Sequence, residues 1–463
     1  MPGDAIPIVI RELTSLKEAQ SPFTSGGLFK VNYANDVQVR QAYRVFFSEL
    51  RLRSEAIRTA LSSKSRSDYT SVYQALGDNI RRSGWALDSA VDNEMLFVLP
   101  ETVGLLIELA RAHNRLSGDA DCFVIDAIRH PFEARYFRET YSGFYLMAVS
   151  TDEADRRRRL ASLNFRKEEI DRLDKKEYPA ENNPLSGYDA FVSQDIQTCL
   201  EEADIYIRNG DSTLKGIYHE LTEQLVKYVS LMQHPGLVTP TRMERCMQTA
   251  FTAKVNSGCI SRQVGAAVTD TNFSIRGIGW NESPKGQVPC LLRNVHHLMT
   301  GLDGRAYSKY EKEDKEFKEH MIEQVIVKVK STSFEGRNLS FCFRTHYNDM
   351  KGTKNQVHTR ALHAEENAFL QVAKYGGQAL EGGYLFTTAG PCELCAKKAY
   401  QLGIKKIFYV DPYPGISIDH VLDSGSHKPE LELFSGAIGK AYHQMYEPFL
   451  PHKDELAALV QPS

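Results

Sequence analysis

The chain has 463 residues, of which 42% are hydrophobic and 25% are charged, as in an ordinary globular protein with room for two or three domains. Its net charge of −3 argues against a large sequence-independent nucleic-acid surface, which needs a basic excess. No apolar run approaches the ~20 residues that span a bilayer, and the N-terminus lacks a basic stretch followed by an apolar one, so we expect a cytoplasmic location without a membrane partner.

The first half of the chain alternates between helical and strand patterns. Residues 68–115 are predicted to be mainly helical. Two short apolar runs, at 122–125 and 144–149, predict buried parallel strands. Residues 203–208, followed by Asn209-Gly210, predict a third strand and a turn. Helical segments separate these strands, and that alternation favours an α/β layered domain.

Proline and glycine interrupt a helical stretch near residues 233–240. We therefore predict two domains, 1–235 and 236–463. A polar and charged region at about 283–357 is taken as an insertion into the second domain. Within it, EKEDKEFKEH (311–320) predicts a solvated helix.

The second domain also alternates, with three predicted helices and four predicted strands. The first is a helix at 240–257, with Thr239 before Pro240 as its predicted start signal. In chain order there follow strands at 264–269 and 274–279, a helix at 363–375, a strand at 384–388, a helix at 392–402 and a strand at 407–410. This order predicts a sheet covered by helices.

The eight cysteines lie far apart along the chain and do not form the disulfide framework of a small secreted domain. Six of them are expected to be buried or inert thiols. Cys392 and Cys395 need another explanation, because they form a Cys-x-x-Cys pair that follows the triplet HAE at 363–365.

The triplet HAE and the string PCELC (391–395) each stand at a predicted helix start. Cys392 and Cys395 can reach one zinc ion from a single helical turn, and His363 adds an imidazole nitrogen. Three protein ligands leave one position open for water, the arrangement of a catalytic zinc, which lowers the pKa of that water to about 7. Glu365 is expected to carry protons as the general acid and base.

Each motif has another interpretation when it stands alone. A Cys-x-x-Cys pair also occurs in redox sites and in structural zinc ribbons, and HAE is compatible with any helix start. Both motifs in this order, with a predicted strand between them, match the H-x-E…P-C-x-x-C pattern of zinc deaminases.

Further strings carry a resemblance to the deoxycytidylate deaminases: SRQVGA (261–266), GWN (279–281) with Pro284-x-Gly286, and DPYPG (411–415). NQVHTRALHAEENAFLQ (355–371) and LFTTAGPCELCAKKAYQLGI (385–404) resemble anti-phage deoxycytidine nucleotide deaminases of the AvcD type. Proteins of that type join a P-loop kinase-like α/β domain to a C-terminal deaminase domain. The resemblance implies a three-layer α/β/α cytidine deaminase-like fold and zinc-dependent hydrolysis of dCTP and dCMP to dUTP and dUMP, which depletes the pool that a phage needs.

The first domain departs from the resemblance at one point. Residues 124–131, 152–159 and 203–209 resemble parts of the kinase-like domain, but no G-x-x-x-x-G-K-[ST] is present. Gly26-Gly27 with Lys30 does not supply this loop. Either the chain lacks the usual beginning of such a domain or the domain no longer binds a nucleotide in the ordinary way, so no kinase activity is assigned.

The resemblance also implies substrate contacts. Asn281 is expected to bond the sugar or base, Arg262 to lie near a phosphate, and Tyr413 to close the pocket or stack on the substrate. The alternatives are that Asn281 only shapes a strand end, that Arg262 is a surface charge, and that Tyr413 only packs.

The insertion contains Cys290, His296, His297, Cys342 and His346. Some deoxycytidylate deaminases carry a second, structural zinc in a comparable insertion, but the loose spacing here favours one catalytic Zn²⁺ and ordinary side chains. The insertion is also open to a nucleotide-sensing or oligomer contact. Family behaviour implies a homo-oligomer, and an inhibitory regulator, RNA or protein, is not visible in the sequence.

Two rival functions share the same motifs. A deaminase that edits RNA or single-stranded DNA needs a basic groove with aromatic platforms, and the slightly acidic chain argues against one. A catalytically silent nucleotide-sensing protein is expected to lose Glu365 first, and this residue is present.

Overall fold

The structure, a computed structural model, describes most of the chain in two compact units. The described residues are 7, 9–12, 14–15, 24–25, 28–29, 31–62, 66–151, 153–171, 192–210, 217–329, 332–376, 379–411 and 417–460. The first unit comprises Met1–Leu146 and Thr151–Glu202, and the second comprises Met147–Ser150 and Ala203–Ser463.

The first unit is largely helical in its described part. Its elements are β1 (Thr24–Ser25), β2 (Leu28–Phe29), α1 (Asp36–Tyr43), a π-helix (Arg44–Glu49), α2 (Leu50–Leu61), α3 (Arg66–Ser83), a 3-10 helix (Asn93–Met95), α4 (Val98–Ser117), α5 (Pro131–Thr140), α6 (Glu153–Ser162) and α7 (Ile196–Glu201). β1 and β2 pair antiparallel. The prediction of a mainly helical segment over 68–115 is confirmed by α3 and α4.

The predicted strand at 122–125 is wrong. These residues form no regular element, Cys122 is exposed, and Val124 is 91% exposed. A short apolar run becomes a buried parallel strand only where neighbouring strands pair with it and helices cover it. Within the described residues no strand pairs with this run. Gly26-Gly27 and Lys30 lie outside the described residues.

The second unit contains two sheets. Its strands are β3 (Met147–Ser150), β4 (Ile205–Arg208), β5 (Gly265–Thr269), β6 (Ile275–Trp280), β7 (Tyr384–Ala389), β8 (Lys406–Asp411), β9 (Glu430–Leu433) and β10 (Gly436–Ala437). The smaller sheet has the order β10-β4-β3, with β3 and β4 parallel, and the larger has the order β6-β5-β7-β8-β9. β5 runs antiparallel to β6 and β7, whereas β7, β8 and β9 are parallel. The predicted strands at 264–269, 274–279, 384–388 and 407–410 are confirmed, and those at 144–149 and 203–208 are shifted to β3 and β4.

The helices of the second unit surround the larger sheet and build the insertion. They are α8 (Ile217–Gln233), α9 (Arg242–Lys254), α10 (Val295–Thr300), α11 (Lys309–Glu313), α12 (Lys315–Met321), α13 (Val327–Val329), α14 (Phe343–Lys351), α15 (Ala364–Tyr375), α16 (Glu393–Gln401), α17 (Gly439–Tyr446) and α18 (His452–Val460). Short turns of other helix types lie at Cys290–Leu292, Gly304–Ala306, Ile322–Ile326 and Ile418–Leu422. None of the described helices is both long and apolar enough to cross a bilayer.

The start of α9 differs from the prediction. The helix begins at Arg242, and Thr241 rather than Thr239 precedes it as the cap. The Thr241 hydroxyl accepts the N–H of Glu244, and the Glu244 carboxylate accepts the N–H of Thr241. This reciprocal capping box satisfies two backbone donors, which outweighs the preference for proline in the first turn.

Two helices lie directly on the larger sheet at strand glycines. A Cβ at Gly265 would stand 2.0 Å from the carbonyl oxygen of Ala250 in α9, and one at Gly279 would stand 2.1 Å from that of Ala364 in α15. Ala266 pairs with Gly279 and shares its face, and successive strand residues point to opposite faces. α9 and α15 therefore cover opposite faces, which gives the three-layer α/β/α arrangement predicted from the resemblance.

Glu244 joins four elements of the second unit from a completely buried position. Its carboxylate accepts hydrogen bonds from Lys227 at 3.0 Å, Tyr228 at 3.0 Å, Tyr446 at 2.6 Å and the N–H of Ala437 at 3.0 Å. Because Lys227 and Tyr228 belong to α8, these bonds tie α8 to the C-terminal elements. The compact units accordingly divide at residues 202 and 203, and the ranges 1–235 and 236–463 stay a prediction about domain identity.

The insertion has a core of its own, and part of the expectation for 311–320 is wrong. That segment forms α11 and α12, and both Glu311 and Phe317 are completely buried. The Glu311 carboxylate forms ion pairs with Arg293 and, at 3.0 Å, with Arg360. The charged residues on either side of Glu311 in the sequence indicate a solvated helix. The carboxylate is buried instead, because two arginines that are distant in the sequence neutralise its charge.

We expect Glu244→Ala to lower the free energy of unfolding by about 3–5 kcal/mol, because it leaves a partly buried ammonium group and two tyrosine hydroxyls without their acceptor. Urea denaturation followed by circular dichroism measures the change. Glu223→Ala, on the exposed side of α8, is the matched control and should stay within about 0.5 kcal/mol of the native chain. Equal unfolding midpoints for the two variants would contradict the role assigned to Glu244.

Candidate active site

Three side chains with metal-binding atoms meet where α15 and α16 begin. His363 is the residue immediately before α15, and Cys392 is the residue immediately before α16. Cys395 lies in the first turn of α16. β7 ends at Ala389 and leads through Gly390 into this second helix, so the strand delivers both cysteines to the edge of the sheet where α15 also starts.

The spacing of the three groups fits one zinc ion. The Nδ1 atom of His363 lies 3.2 Å from Cys392 Sγ and 3.5 Å from Cys395 Sγ, and the ligand atoms of all three lie within 4.8 Å of one another. A tetrahedral zinc with Zn–S of about 2.3 Å and Zn–N of about 2.0–2.1 Å separates such ligands by about 3.5 Å. Both cysteines are buried free thiols. The structure therefore brings together the predicted ligand set.

The two thiols and the imidazole shift one another's ionisation. A hydrogen bond from Cys395 lowers the pKa of Cys392 to about 4, with a further contribution from His363. The same thiol pairing, reinforced by burial, raises the pKa of Cys395, and the hydrogen bond with Cys392 raises the pKa of His363. The partial positive charge of a helix N-terminus also favours a thiolate. Cys392 is thus held in the thiolate form that binds metal.

Glu365 lies beside this group in the first turn of α15, with 4% of its surface exposed. Burial raises the pKa of its carboxyl. Thr387 Oγ1 lies 3.3 Å from Glu365 Oε1 and 2.7 Å from the carbonyl oxygen of Ala389. The hydroxyl has one proton and can donate to one of these oxygens only. When it donates to the nearer carbonyl, a protonated Glu365 completes the other contact as donor.

The predicted substrate-binding residues have partners within the protein. The Asn281 side chain accepts the N–H of Val264 at 2.7 Å and donates to the carbonyl oxygen of Arg262 at 2.6 Å, so it fixes the loop before β5. Arg262 donates to the buried carboxylate of Asp411 at 2.6 Å. Tyr413 lies outside the described residues. Contact of these residues with a substrate stays a prediction.

Arg344 lies beside the Ser261-Arg262 loop, a position that the sequence did not indicate. It lies in α14 of the insertion, and its guanidinium donates to Ser261 Oγ at 3.4 Å and to Gln356 Oε1. In the part of the chain that the structure describes, no carboxylate forms an ion pair with Arg344. Its positive charge therefore stands beside the loop that carries Arg262. The contact with Ser261 spans 83 positions, and no local pattern reports it.

The same region of the chain has relatives among known proteins. The cytidine and deoxycytidylate deaminase zinc-binding region matches residues 240–411. The chain is 30% identical to the deoxycytidylate deaminase of Enterobacteria phage T2 over 169 residues, which cover 36% of this chain and 78% of the relative. It is 30% identical to the deoxycytidylate deaminase of Enterobacteria phage T4 over 178 residues, which cover 36% of this chain and 76% of the relative. The crystal structure of the dCMP deaminase from the cyanophage S-TIM5 in complex with dCMP and dUMP is 24% identical, covers 42% of this chain and 99% of that chain, and has a TM-score of 0.26.

We expect Cys392→Ser to remove one zinc ion per chain, because a serine hydroxyl stays protonated at neutral pH and does not replace a thiolate ligand. Inductively coupled plasma mass spectrometry after gel filtration in metal-free buffer measures the zinc content. Cys122→Ser replaces an exposed thiol outside the group and should leave the zinc content unchanged. Full zinc content in Cys392→Ser would rule out this ligand set.

Proposed function

Since the chain belongs to the cytidine and deoxycytidylate deaminase family and is a zinc-dependent deaminase, we propose that it hydrolyses the amino group of dCMP and dCTP to give dUMP and dUTP. The observation that carries the proposal is the meeting of His363, Cys392 and Cys395 beside a buried Glu365. Two relatives at 30% identity are deoxycytidylate deaminases, which supports a deoxynucleotide as the substrate.

The protein's own groups hold the ion and move protons. His363, Cys392 and Cys395 bind zinc, which when bound supplies an activated nucleophile at neutral pH. Glu365 accepts a first proton from the attacking water and passes it to the ring nitrogen of cytosine. It then accepts the second proton of the same oxygen and passes it to the leaving amino group. One water is consumed and one ammonia is released, so the protons balance. A buried carboxyl with a raised pKa suits this exchange, which is typically worth about 10²–10⁴ in rate.

The nucleotide phosphate lies beside the Ser261-Arg262 loop. That loop contacts Asp411 through Arg262, and the Asp411 carbonyl accepts the N–H of Gly390, two residues before Cys392. The loop is therefore connected to the start of α16. A guanidinium suits phosphate because its planar fork donates two hydrogen bonds. Arg262 already pairs with a carboxylate, so Arg344 is the stronger phosphate ligand and Arg262 positions the loop.

The cellular role is the depletion of deoxycytidine nucleotides during phage infection. The support is the resemblance of residues 355–371 and 385–404 to the anti-phage type. Such an activity needs restraint, which a homo-oligomer or an RNA or protein regulator would supply. A P-loop kinase-like origin of the N-terminal region is supported by the resemblance of residues 124–131, 152–159 and 203–209 and by the parallel pairing of β3 with β4. The missing phosphate-binding loop argues against kinase activity.

We expect ammonia release from dCMP or dCTP, and a loss of at least about 10²-fold in Glu365→Ala because the proton carrier is gone. The purified chain is incubated with dCMP, dCTP, CMP, CTP and cytidine, and Glu365→Gln serves as a second variant that keeps the shape of the side chain. Unchanged zinc content in both variants shows that the metal group is intact.

The other outcomes of this experiment decide between the rivals. Turnover of cytidine alone would overturn the nucleotide assignment. Deamination or filter-bound retention of oligonucleotides, with none for free nucleotides, would favour a nucleic-acid editor. Binding of nucleotides without ammonia release would favour a silent sensor.

We expect Arg344→Ala to raise KM for dCMP on the order of 10–100-fold, which corresponds to the loss of a hydrogen bond to a charged group. The kcat should be nearly unchanged, because the phosphate contact is equally strong in the ground state and the transition state. Initial rates over a range of dCMP concentrations measure both constants. Arg337→Ala, an exposed arginine of the same insertion, should leave KM unchanged. A fall in kcat with a constant KM would contradict a phosphate-binding role.

A further inference from the structure

A second group of metal-binding side chains lies in the insertion, outside the candidate active site. It consists of His320, His346 and Asp349, whose ligand atoms lie within 4.8 Å of one another. The Nδ1 atom of His346 is 3.3 Å from the Nε2 atom of His320. None of the three side chains has a part in the proposed reaction.

We propose that His320, His346 and Asp349 bind a divalent transition metal ion, with zinc as the best fit. Two imidazole nitrogens and a carboxylate oxygen are common zinc ligands. A tetrahedral zinc with Zn–N of about 2.0–2.1 Å holds two nitrogen ligands about 3.3 Å apart, the separation found here. A hydrogen bond between the two rings also gives this distance, and the Asp349→Asn variant described below distinguishes a metal site from it.

The backbone holds these ligands in place. His346 and Asp349 are three residues apart in α14 and therefore share one face of the helix. His320 lies in the last turn of α12. The two helices pack through Phe317 and Phe343, whose ring centroids are 5.2 Å apart. The ligand set is thus preorganised by packed helices rather than by a loop.

The surroundings favour a cation from solvent. His320 and His346 are half-buried, and Asp349 is exposed, so an ion has access to the group. No described lysine or arginine forms a salt bridge with Asp349. The positive charge of Lys328 acts on His346, but the Lys328 ammonium donates to Gln324 and does not pair with the Asp349 carboxylate. Three protein ligands leave a fourth coordination position for water.

The sequence favoured a single catalytic zinc over a second ion in the insertion. The candidate ligands in the insertion were Cys290, His296, His297, Cys342 and His346. Among the residues that the structure describes, the first four belong to no group with metal-binding spacing. His320 and Asp349 take their place because α12 and α14 lie side by side.

The ion would tie α12 to α14, and α14 also carries Arg344. Occupancy of the site would then fix Arg344 beside Ser261. This consequence rests on the proposed function, whereas the metal site itself does not.

The test counts zinc in the full chain after gel filtration through metal-free buffer. We expect two zinc ions per chain in the native protein, one in the double variant His320→Gln with His346→Gln, and one in Asp349→Asn, which alters only an exposed side chain. His297→Gln, an exposed histidine of the same insertion, is the matched control and should retain two. Circular dichroism spectra that match the native protein show that the variants are folded.

Cobalt substitution separates the second site from the first. In Cys392→Ser reconstituted with Co²⁺, the remaining ion should give visible absorption bands, and adding His346→Gln should abolish them. One zinc per native chain, or bands that persist without His346, would overturn the proposal. Deamination has no part in this readout, so failure of the proposed function and failure of the metal site are distinguishable.

Discussion

The candidate active site depends on two helices that begin at one point of the sheet. α15 starts after His363 and α16 starts after Cys392, and the parallel pair β7 and β8 carries the chain to that edge. Each helix N-terminus directs partial positive charge towards the sulfurs. Thiolates that would be costly to bury are stabilised there. The neighbouring Glu365 is affected differently, because burial raises the pKa of its carboxyl and so favours the neutral form.

Much of the second unit could be predicted because its signals are local. The strands at 264–269 and 384–388 are short apolar runs bounded by turns. Such a run is typical of a strand whose two faces are both covered by helices. The two cysteine ligands can also be predicted from the sequence, because the spacing of Cys392 and Cys395 lets both side chains reach one ion from a single helical turn. His363 can be predicted only together with the cysteines, because HAE precedes PCELC in the H-x-E…P-C-x-x-C order.

Other features depend on partners that are distant in the sequence. The run around Val124 has the composition of a buried strand, but no described strand pairs with it. Glu311 looks like a solvated charge until Arg293 and Arg360 are placed around it. Arg344 gains its position from a contact with Ser261 across 83 positions. Burial and ion pairing of this kind follow from tertiary packing, which neither periodicity nor charge patterning contains.

The close contact between Gly279 and α15 links a remote strand residue to the reacting groups. Where Gly279 meets Ala364, backbone lies against backbone, so a side chain at position 279 would displace the start of the helix. His363 and Glu365 are the residues on either side of Ala364, and both would move with it. The distance between metal ligand and proton carrier therefore depends on a glycine that contacts neither side chain's reacting atoms.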